Sequence, residues 1–389
     1  MDVVLYILGP VATAAIIGGG VWLLRDKLGW FGPKSEQETR DRLARVEAQL
    51  EELKQKSVAP PRGGAPTDTE ALAAAATDET ERLLAEAVEL QRQHRERDAI
   101  ERLLTAYNMG MAPEAKAQLH ILAGNGFLRL SELEEAESHY LQALGAAERA
   151  ADRGRQATAF NNLGLVYADR GDLDKAEEHH ERALAIREQV GDKLGQAAAL
   201  ANLGVIYGRR GEPDRAEDHL KRALAIAEGM GNKFGQAVTL GNLGNVYYDR
   251  GELDKAEQYH RSALAIDEEI ANKLGRGNDL GNLGLVYLRR GELEKAEKHY
   301  KEALAIESEI GNRLGQALSL VGLGLIAAQR GQLSQGRELL SQAQALFEAI
   351  GSGGEVREAV RRLLQLLAGT APPQAKRETA RKQRPRKKP

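Results

Sequence analysis

The sequence predicts an all-α chain built as an elongated stack of paired helices, and three observations carry that expectation. A short motif recurs every 40 residues without slipping. Each unit holds two stretches of helical apolar spacing. Aromatic residues make up only 4% of 389 positions, thin for the two or three separate compact cores that length would otherwise demand. A stack in which each unit buries its apolar face against the next needs no such cores.

Residues 1–33 are expected to form a transmembrane anchor with an interfacial flank. From Val3 to Leu24 no charged residue occurs, and as a helix rising ~1.5 Å per residue this run reaches across a hydrocarbon core of ~30 Å. Only Met1 and Asp2 precede it, unlike a cleaved signal, which carries basic residues there. Arg25, Lys27 and Lys34 follow, then Arg40, Arg42 and Arg45. The positive-inside rule therefore predicts a single-pass membrane protein with its amino terminus outside and its repeats cytoplasmic. Tyr6, Trp22, Trp30 and Phe31 stand where interfacial aromatics belong.

Residues 34–57 read as a short coiled coil. Leu43, Val46, Leu50 and Leu53 follow a 3, 4, 3 spacing among Glu, Arg and Gln. Either a homodimer through residues 39–57 or a solitary charged stalk helix satisfies the pattern. Residues 58–77, with Pro60, Pro61, Gly63, Gly64 and Pro66, read as a flexible linker.

The repeats occupy residues 78–369. Asn161-Asn162-Leu163-Gly164, Ala201-Asn202-Leu203-Gly204, Gly241-Asn242-Leu243-Gly244 and Gly281-Asn282-Leu283-Gly284 are each 40 residues apart. Tyr167, Tyr207, Tyr247 and Tyr287 keep the same register, as do Gly171, Gly211, Gly251 and Gly291, and Ala176, Ala216, Ala256 and Ala296. Units at 112–151 and 312–351 are weaker copies, and a degenerate first unit surrounds Ala99 and Leu103. Within one unit, Phe160, Leu163 and Tyr167 form an apolar stripe that ends at Arg170-Gly171, a basic last turn followed by a left-handed stop. Asp172 or Asp174 caps a second helix whose inward face is Ala176, His180, Ala183, Leu184 and Ile186, closing near Gly191. Gly164 and Ala176 are small enough for close helix approach. Val356, Val360, Leu363, Leu364 and Leu367 make 355–368 a final amphipathic helix that caps the stack. In residues 370–389, eight Lys or Arg face one acid, Glu378, so a basic disordered tail is expected, either touching anionic lipid or merely solvated.

The Leu-Gly, Tyr, Gly, Ala and Ala-Leu pattern resembles the tetratricopeptide repeat across roughly residues 78 to 351. The common unit is about 34 residues long. With its 40 residues, its Asn-Leu-Gly and its Ala-Leu-Ala-Ile, this one looks most like the kinesin light chain and Leu-Gly-Asn-repeat adaptors. The resemblance implies a right-handed superhelical solenoid whose first helices line a concave groove for a protein or peptide partner. Anchor plus repeats also resembles the lipopolysaccharide assembly protein B architecture, but that family ends in a cysteine metal-binding domain and this chain has no Cys.

The candidate peptide-binding groove follows from the columns. Asn162, Leu165 and Asp169 recur as Asn202, Val205 and Arg209, then Asn242, Asn245 and Asp249, then Asn282, Leu285 and Arg289. Asn is a poor mid-helix residue, and an amide can both donate to and accept from an extended backbone. The same amides could instead bond to a neighbouring helix and stiffen the stack.

The rest of the sequence points away from catalysis. Absence of Cys removes thiol nucleophiles, disulfides and Cys-ligated metals. His139, His179, His219 and His299 share one column, and His180 and His260 another in which Tyr140, Leu220 and Tyr300 also stand, which is the mark of a packing position; His120 stands apart. The Gly124-Asn125-Gly126 and Gly322-Leu323-Gly324 strings fall inside first helices with no Gly-Lys-Ser/Thr after them. No enzyme activity, cofactor or metal is expected, and a formal net charge of −3 gives no nucleic-acid footprint. The function expected is that of a membrane-anchored adaptor; the alternative is a structural assembly factor or self-associating scaffold of a membrane complex.

Overall fold

The computed structural model describes residues 82–83, 86–87, 89–90, 95–107, 113–350 and 354–367. These are helical almost throughout, with no strand among the described residues. In chain order the helices are α1 (Glu96–Tyr107), α2 (Pro113–Arg129), α3 (Leu133–Arg149), α4 (Arg153–Arg170), α5 (Leu173–Gln189), α6 (Lys193–Arg209) and α7 (Pro213–Gly229). There follow α8 (Lys233–Asp249), α9 (Leu253–Glu269), α10 (Lys273–Arg290), α11 (Leu293–Glu309), α12 (Arg313–Gln329), α13 (Leu333–Ile350) and α14 (Gly354–Leu367). They form two compact units, one running to Thr239 and one starting at Leu240.

In each unit a first helix packs on the second helix of its own repeat and on the second helix of the repeat before, as α4 does with α5 and α3, and α10 with α11 and α9. The ends obey local chemistry. Gly171 terminates α4 at φ 83°, a left-handed conformation that suits Gly. Asp172, not Asp174, accepts the Lys175 N–H that opens α5.

One contact repeats through both units. A Cβ on Gly164 would lie 2.6 Å from the His180 ring, on Gly204 2.6 Å from Leu220, on Gly244 2.6 Å from His260 and on Gly324 2.9 Å from Leu340. The first-helix Gly is a socket for whatever bulky residue the second helix presents, which is why His, Leu and Tyr interchange there. The helices are also tied through Gln side chains: Gln156, Gln196, Gln236 and Gln316 donate to the carbonyls of Ala147, Arg187, Ala227 and Glu307, a second hydrogen bond to carbonyls near the end of the preceding second helix that already accept a backbone N–H. On the opposite edge Tyr207 of α6 and Arg210, which caps that helix, both reach Glu177 of α5, and Tyr287 and Arg290 of α10 both reach Glu257 of α9. In the second unit Val360 and Leu363 of α14 join Leu340 and Phe347 of α13 in one apolar cluster.

The expected membrane topology is corrected. Among the described residues no helix is long and apolar enough to cross a membrane. The longest have 18 residues, about 27 Å at ~1.5 Å each, and are amphipathic. Even α12, the most apolar, carries Arg313, Gln316 and Gln329. Single-pass placement with the amino terminus outside is therefore not retained. Residues 3–24 lie outside the described residues, as do the 34–57 coiled coil with its dimer seam, the 58–77 linker and the 370–389 tail.

Candidate functional site

In the unit ending at Thr239, the expected groove residues lie on α4 and α6. Asn162 donates from Nδ2 to Oδ1 of Asn125 on α2 at 3.1 Å, and Asn202 donates to Oδ1 of Asn161 on α4 at 2.9 Å. Both acceptors have a second donor: Tyr140 Oη reaches Asn125 at 2.8 Å, and His180 Nδ1 lies 3.2 Å from Asn161 Oδ1. Because an amide oxygen only accepts, His180 carries its proton on Nδ1. These amides join consecutive first helices to each other and to the second helix beside them. Asn202 is 7% exposed. Leu165 is half-buried and Val205 buried, while Asp169 and Arg209 are exposed. Arg209 extends back to the Ala168 carbonyl at 2.7 Å, complementing the carboxyl end of α4.

The unit starting at Leu240 treats the same columns differently. Gly241 stands where Asn161 stands in the other unit, so the rung to Asn282 has lost its acceptor. Asn242 Nδ2 is buried with no hydrogen-bond partner among the described residues. Asn245 and Leu285 are buried beside the pair. Asp249 and Arg289 are exposed at the carboxyl ends of α8 and α10. Arg289 donates to the Tyr248 carbonyl at 2.5 Å and its guanidinium lies 4.6 Å from the Tyr248 ring centroid. Asp249 meets solvent at one edge but is ringed by protein, and this desolvation lifts its carboxyl to about 6 against the pull of Arg289.

The sequence reading missed the acceptors. Asn161 and Asn125 precede the Asn-Leu-Gly column or lie outside it, and the doublet Asn161-Asn162 is the one signal that two amides alternate between rungs. No three His, Asp or Glu come together as a metal-binding group among the described residues.

Comparison with known proteins agrees with this architecture. A solved aspartyl phosphate phosphatase F from Bacillus subtilis superposes with a TM-score of 0.61 at 13% identity, over 86% of this chain and 93% of that one. A Rap protein complexed with Competence and Sporulation Factor gives 0.59 at 15% identity, over 92% and 98%. The apo form of RapI gives 0.59 at 16%, over 70% and 99%. At such identities the likeness is one of fold. No curated protein matches the chain significantly. The tetratricopeptide repeat profile matches residues 114–189, 155–229, 235–309 and 278–349. More than half of the sequence is thereby covered, and the chain belongs to the tetratricopeptide repeat family.

Proposed function

We propose that the chain is a protein-interaction adaptor that binds an extended peptide segment of a partner on the first-helix face of its second unit, at Asn242, Asn245 and Asp249 of α8 and Asn282, Leu285 and Arg289 of α10. The observation that carries this reading is the Asn242 amide, a buried donor left without a partner while Asn162 and Asn202 in the other unit are engaged between helices. An unsatisfied donor is costly, and a peptide carbonyl that displaces the side chains covering it would relieve it. Asp249 and Arg289 add opposite charges at successive rungs, suited to a segment with a basic and an acidic residue. The 40-residue unit, which resembles that of the kinesin light chain and Leu-Gly-Asn adaptors, fits the same role. So does the Rap protein solved in complex with a factor.

The test is selection of extended peptides from a random displayed library by the full chain, followed by rebinding to variants. Peptides that lose affinity with Asn242→Ala and with Arg289→Glu, yet bind Asn202→Ala unchanged, support the reading. Peptides indifferent to Asn242 and Arg289 overturn it.

A further inference from the structure

We propose that a pocket between α2 and α3 binds a small oxyanion, a carboxylate or phosphate group. The pocket, of about 430 Å³, is lined by Lys116 and His120 from α2 and by Ser138, Gln142, Gly145 and Arg149 from α3, with Ala146 beneath and Leu141 at its lip. On α2 the two positions are one turn apart, and on α3 they recur one turn after another, so the two helices turn matching stripes toward one cleft.

The register of the repeat shows how the cleft arose. At the position of Ala146 the following units carry Ile186, Ile226, Ile266, Ile306 and Leu346; at that of Gly145 they carry Ala in every case. Among these six units this one alone lacks that bulk. At the position of Lys116 most units have Gln, the side chain that caps the preceding second helix, and at that of His120 they have Phe or Leu. Side-chain bulk is missing and polar, positively charged groups stand at the same place.

The geometry gathers those charges. A Cβ on Gly145 would lie 3.9 Å from the Arg149 guanidinium, so that side chain folds back along α3 over the glycine. Arg149 makes no hydrogen bond or ion pair among the described residues. His120 Nδ1 is 3.1 Å from His139 Nδ1, one ring donating to the other. Burial, then His139, Lys116 and Arg149, hold the His120 imidazole down at about 4, so it is neutral while two cations act on the same space. A cleft lined by the Lys116 ammonium, the Arg149 guanidinium, a hydroxyl and an amide, with an apolar lip, selects an oxyanion over a cation or an apolar ligand. It uses no residue of the Asn column or of the groove columns beside it and stands whether or not a peptide binds there.

The experiment is a titration of the full chain, labelled at histidine, with inorganic phosphate, succinate and an acetylated tri-glutamate peptide, following the His120 and His139 ring signals. At least one probe should shift both signals saturably in the millimolar range. Preference for phosphate or succinate identifies a free small anion, and preference for the peptide identifies a partner's acidic side chains. Lys116→Gln should weaken binding at least tenfold. The double variant Gly145→Ala and Ala146→Ile, which restores residues carried by other units and so should keep the fold, should abolish it. Shifts that never saturate with any probe, or saturable binding that survives the double variant, overturn the proposal.

Discussion

Asn202 donates its side-chain amide to Oδ1 of Asn161 at 2.9 Å, 41 residues earlier, and the same oxygen faces His180 Nδ1 at 3.2 Å. One half-buried acceptor thus joins α4, α5 and α6. Asn202→Ala should cost ~1 to 2 kcal/mol of stability, because Asn161 loses a partner that water replaces poorly. Asn242→Ala removes a donor that already lacks a partner and should leave the unfolding midpoint in place or raise it. Urea unfolding of the two variants decides the matter, and equal destabilisation would contradict the split between the units.

The Tyr-Glu-Arg clasps make a prediction about acid. Burial alone would raise the Glu177 carboxyl, but hydrogen bonds from Tyr207 and Arg210 outweigh it and the net shift is downward; Glu137 and Glu257 follow the same balance. A carboxyl held below its ordinary value of 4.5 stabilises the fold above that value and loses the contribution as pH falls through the folded value. Glu177→Gln should lower stability at pH 7 by ~0.5 to 1.5 kcal/mol and flatten the acid limb of the stability curve. A variant that shows the unchanged acid limb would remove the clasp from the account.

Two buried carboxyls in the second unit act in the opposite sense. Burial pushes Glu307 up to about 7 despite the Ser319 hydroxyl bonded to it, and pushes Asp267 up to about 6 despite Asn272. A raised carboxyl contributes stability fully below its unfolded value and loses it as pH rises through the folded value, here between about pH 4 and 7. Glu307→Gln keeps an acceptor for Ser319 without the charge. It should therefore unfold later than the parent at pH 8 and no later at pH 5, as thermal scans at the two pH values would show. An advantage of the same size at both would mean that ionisation is not the cause.

The glycines divide by what surrounds them. Gly164→Ala would place a methyl 2.6 Å from the His180 ring, an overpacking that costs ~1 to 3 kcal/mol. Gly208, inside α6 where a Cβ would have nothing within 4 Å, should gain ~0.5 to 1 kcal/mol on replacement by Ala. Calorimetry that ranks the two variants the other way would refute the socket.

The repeat period, the helix ends and the apolar faces were all legible in the sequence, because each depends on neighbours within one or two turns. Arg170-Gly171 and Asp172 specify a stop and a start wherever they occur, and a column of Ala, Tyr and Gly can only be the buried side of a hairpin. What only the tertiary structure decided was the partner of each polar group. Asn162, Asn202, Asn242 and Asn282 are one column in the sequence, yet the first two are engaged by Asn125 and Asn161, whereas Gly241 offers Asn282 no side-chain acceptor. The difference lies 37 or 41 residues away, on another helix. The pocket at Ala146 is of the same kind, since the loss of an Ile becomes a cavity only when a second helix lies across it. Local chemistry writes the elements, and the distance between two amides exists only once the elements are stacked.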